Sequence, residues 1–473
     1  TRWMRLDGST VSQLQRIDAD VLADATLPSS ASCRIESTLA AAVSSANPSA
    51  TVLAAPAVWT GAGNCGLDFA GKAVSLRGIG GAAHTAIDCA GSAAGAAVRF
   101  TSGETVATIL DGFEIRSSRS TTDGGAIRIA GASSPTITNC IIRDASTTAT
   151  GGAIFIEGGG TRLFNLTIRD CTADGGGGGG IAIINGANVR LVNASLQSNA
   201  ARGGDGGGLR VERATVSIES GIIRNNSASG DGGGLAVLMP DLFWSTTSIP
   251  ISTITGNSVL AENTAEGAGG GIVLRGRSSL HILDCSIQSN RASSTGGAVH
   301  LEPSTLQSDK EAVGSPFLEV YSSEIHSNTA GAGGGLFSHM GIIHIGHGTT
   351  LVDNIASAVS GFSACTDVQA GGGGGIYAKQ SLTNVTGATF TANTAFTSGG
   401  AILSEGSHDD LPGLMNRDQQ RQGLHMTAST LSSNHAAAGA AIFVRGSGAY
   451  IHDLNASSNG GNTTRAGGVL KCS

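Results

Sequence analysis

Charge and aromatic rings are both scarce in this chain. Asp, Glu, Lys and Arg make up 13% of its 473 residues, and Phe, Trp and Tyr 4%. Basic residues number 28 against 35 acidic ones, a net charge of −7 thinly spread over a long chain. No field follows that would gather nucleic acid or anionic lipid, and no nucleic-acid-binding signature is present. No stretch of 18 apolar residues occurs, so no membrane span is expected. There are only 9 prolines, and the 72 glycines follow no Gly-X-Y period, which excludes collagen. Disorder is disfavoured too, because few charges accompany 40% hydrophobic residues. The chain opens at Thr1 without Met or an apolar signal core, so the expectation is a removed signal peptide or a segment of something longer.

What is abundant is a motif. Gly-Gly-Ala-Ile-Phe-Ile from Gly151 recurs in the same phase at Gly124, Gly178, Gly206, Gly232, Gly269, Gly296, Gly333, Gly373 and Gly399. Degenerate copies start at Gly439 and Ala466. Successive starts lie 27, 27, 28, 26, 37, 27, 37, 40, 26, 40 and 27 residues apart. A period near 27 with longer gaps marks an internal repeat carrying loop insertions.

Within a period an alternating strand follows the Gly-Gly strand. A third run then ends in an aliphatic residue with Asn three places later. Leu196/Asn199, Ile223/Asn226, Leu260/Asn263, Ile287/Asn290, Ile325/Asn328, Leu351/Asn354, Phe390/Asn393 and Leu431/Asn434 show this, and Ala456/Asn459 weakly. The two earliest coils carry Ala145 and Cys171 at the Asn position. Three short strands per period, each apolar at every second residue, suit an all-β, right-handed parallel β-helix of about 12 regular coils. Stacked at about 4.8 Å, the coils make a rod on the order of 60–70 Å long. Glycine pairs would form tight corners with positive φ and no room for Cβ, and Asn in left-handed backbone would build an amide ladder. A leucine-rich repeat lacks its paired-leucine consensus here, and a propeller blade needs a period near 40.

Three regions follow. Residues 1–50 form an N-terminal segment with a short helix over Ile35 to Val43, its apolar Leu39, Ala40 and Val43 covering the first rung. Residues 51–123 supply irregular first coils, with strands over Thr51–Leu53, Gly66–Phe69, Ala73–Leu76, Thr85–Asp88, Ala97–Phe100 and Thr108–Ile115. Residues 124–473 form the regular coils. Their insertions lie near 240–250, 302–316 and 405–423, after the Gly-Gly strand, and near 357–370, after the Asn. The first three should emerge along one edge of the rod.

The GGAI or GGAV copies at Gly124, Gly151, Gly296 and Gly399, with Phe390-Thr391-Ala392-Asn393, resemble the GGA(I/L/V) and FxxN repeats of chlamydial polymorphic membrane proteins and related algal and protist surface proteins. The resemblance covers roughly residues 120–473 and implies an adhesive or structural surface module. Only one copy has Phe before the Asn, and no barrel pattern follows the repeats, so the resemblance does not extend to autotransport.

Catalysis on such a scaffold requires acids or bases gathered at one coil position. Gly346-His347-Gly348 resembles a fragment of the polygalacturonase site, but its companion acidic motifs on earlier coils and its basic motif are missing. The one paired acid, Asp409-Asp410, falls within an insertion. His347, Asp409 and Asp410 are thus the nearest approach to a catalytic set, and no catalytic residue is assigned. Asp144, Asp170 and Asp205 do not share the phase a calcium site needs. His281, His300, His326 and His344 lie within strands and should point to solvent. No metal or cofactor is expected.

Eight cysteines show no zinc spacing. Cys140 and Cys285 share an inward phase and should be buried thiols. Cys65 and Cys89, almost one coil apart, can form a disulfide, with Cys33–Cys65 as the rival pairing. Asn165, Asn193, Asn225, Asn384, Asn455 and Asn462 head Asn-x-Ser/Thr sequons, candidates for glycosylation. Leu242, Phe243 and Trp244 concentrate rings in one insertion and form a candidate contact loop. The expected function is a secreted or cell-surface structural or adhesive protein, a component of an extracellular assembly. Its partners would be other chains, at the insertions and at the C-terminal rung, or glycans. The alternative is a carbohydrate-active enzyme or glycan-binding module on the same scaffold.

Overall fold

A computed structural model describes residues 36–92, 95–239, 251–304, 314–357, 370–406, 423–461 and 470–472. They form a parallel β-helix whose coil has four strands, not three. In one turn Ile154–Glu157 belongs to a first sheet, Arg162–Phe164 to a second, Thr167–Arg169 to a third and Thr172–Ala173 to a fourth; Ile181–Ile184 then returns to the first. Three sheets have 14 strands and the fourth has 12, all pairing in parallel with the coils before and after. The fourth strand is only two residues long, too short to show alternation in sequence. Its second residue, such as Ala201, Ala228 or Ala265, is small and buried.

The core is built from columns. Ile127, Ile154, Ile181 and Leu209 pair in register on the first sheet, and Ile142, Ile168, Leu196 and Ile223 on the third. All are essentially inaccessible, and burying each such side chain contributes about 1.5–3 kcal/mol. The corner before the first sheet divides its work between two glycines. Gly151 has φ 75°, the left-handed region that glycine enters without steric cost. Gly152 sits where a Cβ would collide with the carbonyl of Gly179, its equivalent one coil on.

The Asn column forms a buried amide ladder. The Oδ1 of Asn226 accepts from both the backbone N–H (2.9 Å) and the Nδ2 (3.0 Å) of Asn199. The second Nδ2 proton of Asn199 goes back to the carbonyl of Ile168 at 3.0 Å. The pattern continues through Asn263, Asn290, Asn328, Asn354, Asn393, Asn434 and Asn459. The left-handed backbone expected of these Asn residues belongs instead to the residue just before each, for example Ser198 and Asn225 with φ of 52° and 53°. That kink leaves the following amide free to span coils. At the lower end, the Cys171 backbone N–H donates to Asn199 Oδ1 at 3.1 Å.

At the N-terminus the helix Leu39–Ser45 starts later than the sequence pattern suggests. It is capped by Thr38, whose hydroxyl accepts from the Ala41 N–H at 3.2 Å, and Leu39 and Val43 seal the first rung. A strand at Ala57–Thr60 follows Pro56 and was not evident in the sequence, because Val58 is exposed and only Trp59 turns inward. Thr108–Ile115 divides into Ile109–Asp111 and Glu114–Arg116 around a bend at Gly112. Cys65 and Cys89 form a disulfide; Cys33 lies outside the described residues. Burial pushes the Cys140 and Cys171 thiols up to about 12 and Cys285 to about 11, so all three are inert.

The ladder sets an expectation. Asn290→Ala would leave the Asn263 N–H and the Leu260 carbonyl without their partners, a loss of about 2–4 kcal/mol in denaturant titration. Asn459→Ala, at the half-buried end of the ladder, should cost clearly less.

Candidate functional site

Interior columns are occupied by packing, so chemistry must lie on the outer faces or at the corners. The long insertions fall at two corners, and both border the first sheet. Three breaks separate a first-sheet strand from the next second-sheet strand: Leu235–Met239 from Ile251–Thr255, Val299–Glu302 from Phe317–Tyr321, and Ile402–Glu405 from Gly423–Thr427. The fourth separates Ile355–Ala356 of the fourth sheet from Ile376–Lys379 of the first. Leu242, Phe243, Trp244, Asp409, Asp410 and Asn462 lie outside the described residues.

On the outer face of the first sheet, His300, Phe337, Tyr377, Leu403 and Phe443 form one column in register. The solvent exposure expected of His300 does not hold, since only 6% of it is accessible. Its ring stacks on Phe337 at 5.1 Å, and Nδ1 lies 2.7 Å from the Thr295 hydroxyl. Phe337, Tyr377, Leu403 and Phe443 pack with Ala332 into a small second core outside the coil. Beside this column, Arg275 gathers three carboxylates from other coils. It pairs with Asp231, with Asp205 at 3.4 Å and with Glu302 at 3.5 Å. The adjacent His300 above all, then Arg275 and His339, hold the Glu302 carboxyl down at about 2 against the opposing effect of burial. Tyr377 donates to Glu405, which also pairs with Arg445 at 3.0 Å. These carboxylates are already engaged by cations or hydroxyls, which makes them braces between coils.

The outer face of the second sheet is more open. Its outward column runs Thr253, His281, Glu319, His344, Asn384, His425 and Tyr450, one residue per coil. His281 Nδ1 lies 3.3 Å from Glu319 Oε2, and the Tyr321 hydroxyl donates to Glu319 Oε1 at 3.1 Å. His344 Nε2 lies 2.9 Å from Asn384 Nδ2, and burial lowers the His344 pKa. Phe317 contacts both imidazoles, with ring centroids 5.8 Å from His281 and 5.1 Å from His344. The sequence reading named His281 and His344 singly and missed the column. Its signal was present: His281, Glu319, Asn384 and His425 each stand six residues before the aliphatic of the Asn signal. His344 stands seven before it, because an extra residue enters at the corner Gly346–Gly348.

His347 lies at that corner, exposed, its ring against Gly387. Among the described residues it takes part in no ion pair, so no acid is brought to it. Asp144 and Asp170 occupy equivalent corners on adjacent coils, since Arg143 and Arg169 pair in register, but Asp205 does not join them, so the three share no common phase. Asp144 and Asp170 are each bound to the arginine before them, at 2.5 and 2.7 Å, while Asp205 belongs to the Arg275 cluster. Among the described residues, no group of three His, Cys, Asp or Glu is arranged to hold a metal. Asn165 donates to Asn139 at 3.0 Å and Asn193 to Asn165 at 3.2 Å, an exposed amide row, whereas Asn225 and Asn455 are exposed and, among the described residues, make no side-chain hydrogen bond.

Residues 96–238 match the family model described as the right-handed beta helix region. No curated protein and no solved structure matches the chain.

The clamp around Glu302 makes a pH prediction. Its folded pKa of about 2 lies below the ordinary 4.5. Its stabilisation is therefore complete above 4.5 and is lost as pH falls from 4.5 through 2. Glu302 is 35% exposed, so after solvent screening Glu302→Gln should cost about 1–2 kcal/mol at pH 7. Denaturant titrations of both proteins should converge as pH falls towards 2.

Proposed function

We propose that this chain is a structural or adhesive β-helix of the cell surface or extracellular space. It acts through contacts made where its repeat is broken, by binding other protein chains or surface material. One observation carries the reading: three of the four breaks fall at a single corner, next to a second-sheet face that presents half-exposed rings and imidazoles. Loops gathered on one side of a solenoid form its natural contact surface. The GGA(I/L/V) and FxxN resemblance to surface proteins points the same way. In a host with N-glycosylation, Asn225 and Asn455 are the favoured acceptors.

The enzymatic alternative has less support. A general acid or base needs a carboxylate or imidazole free to reach a substrate atom, and the first-sheet carboxylates are committed to bracing.

Two measurements test the reading. Antibody labelling of intact source cells should find the protein at the surface or shed into the medium; labelling only after permeabilisation would refute it. Replacing 240–250, 305–313 and 407–422 together by short loops should leave the melting transition in place and abolish attachment of the purified protein to those cells. Unchanged attachment would remove the assigned role of the insertions.

A further inference from the structure

The strip on the outer face of the second sheet, from Ser279–Leu283 to Ala449–His452, differs in chemistry from the braced first sheet. None of its strands contains a Lys or Arg, although the first-sheet face is built around Arg275. Its polar groups are one carboxylate, an amide, imidazoles and hydroxyls, placed one coil apart, about 4.8 Å. Glu319 is fixed from two sides, by His281 and by the Tyr321 hydroxyl. Its oxygens are thus held in place before any ligand arrives.

Rings accompany these groups. Tyr321 is 39% exposed and Leu283, its partner one coil below, 43%. The Tyr321 ring occupies the space that a side chain at Gly346 would fill. Glycine there is what lets the ring rest on the backbone of the next coil. His347 does the same on Gly387, one coil further along. Tyr450, 53% exposed, ends the polar column.

Other occupants fit less well. A peptide cannot add here as a strand, because the backbone groups of these strands are spent on neighbouring coils. A polyanion would need permanent cations, and the strip has none. Sugar rings match both halves of its chemistry: their C–H faces pack on aromatic rings, and their hydroxyls both donate to and accept from carboxylate, amide and imidazole.

We propose that this strip binds a neutral polysaccharide laid along the rod axis, with Tyr321 as its stacking platform and Glu319, His344 and Asn384 as hydroxyl partners. The proposal rests on the reading that the rod works through its surface, and names one ligand class for it.

Affinity electrophoresis of the whole chain through gels containing mixed-linkage β-glucan, arabinoxylan or galactomannan tests it, with polygalacturonate and heparin as polyanions. At least one neutral polymer should retard the protein, and neither polyanion should. Tyr321→Ala should weaken the retardation by roughly tenfold, and Asn384→Ala should weaken it measurably, with melting curves confirming that both variants fold. Migration unaffected by all three neutral polymers would overturn the proposal. So would retardation by polyanions alone, or retardation that survives Tyr321→Ala intact. A protein that attaches to cells through its insertions but is retarded by none of the neutral polymers would sink this inference and leave the surface role standing.

Discussion

The architecture depends on one steric constraint, the absence of room for a side chain at the corner before the first sheet. A Cβ on Gly152 or on its equivalents would strike backbone one coil on, so the coils from Gly125 to Gly400 place glycine there, and alanine stands in its place only in the outlying coils, at Ala96 and Ala440. Once that corner is fixed, all later residues of the coil fall into columns. The same residue type at the same offset then becomes a continuous structural member. The buried Asn ladder is the clearest example, because each amide is satisfied by the Asn of the next coil and by a backbone carbonyl of the coil before.

These two devices explain where the repeat can lengthen. From the start of the third sheet to the end of the fourth, a coil is bound by the ladder, and a longer segment would break hydrogen bonds on both sides. This stretch runs over Val259–Ala265, Ser286–Ala292, Glu324–Ala330, Thr350–Ala356 and Thr389–Ala395 without change of length. Upstream of the ladder, at the solvent-facing bend between the second and third sheets, one residue is added in two coils, at Gly256–Ser258 and at Gly346–Thr349. The large breaks lie at the two corners flanking the first sheet. Even there, the break at 358–369 ends before Gly373, so the glycine corner is entered unaltered.

The same logic determines what could be read from sequence. Features that recur in every coil were legible: the Gly pair, the aliphatic-x-x-Asn signal, the core columns and thus the fold. The fourth strand escaped because two residues cannot display a period. The left-handed residue was misplaced by one because Ser198, Asn225 and Glu262 have no chemistry in common; only the backbone repeats there. Outward columns were hardest, since consecutive members differ. His281, Glu319, His344 and Asn384 look unrelated until the register places them side by side. His300 was misjudged for a further reason: it faces away from the coil interior, yet a second apolar core has grown on that outer face.

Outward residues are the ones whose identity the stack does not dictate, so differences among faces carry the functional information. On the first sheet, carboxylates are tied to cations in sets that span several coils, as Asp205, Asp231 and Glu302 converge on Arg275. Such a set joins coils but offers little to a ligand, because its half-buried carboxylates are already held by cations. On the second sheet the groups are neutral or singly acidic and half-exposed, and beside them the Tyr321 and His347 rings rest on Gly346 and Gly387. That side of the rod can be varied coil by coil at small cost to folding, and it is bordered by the corner that tolerates insertions. A surface that can change without disturbing its scaffold, set beside loops that can lengthen, is where a solenoid of this kind can acquire a ligand.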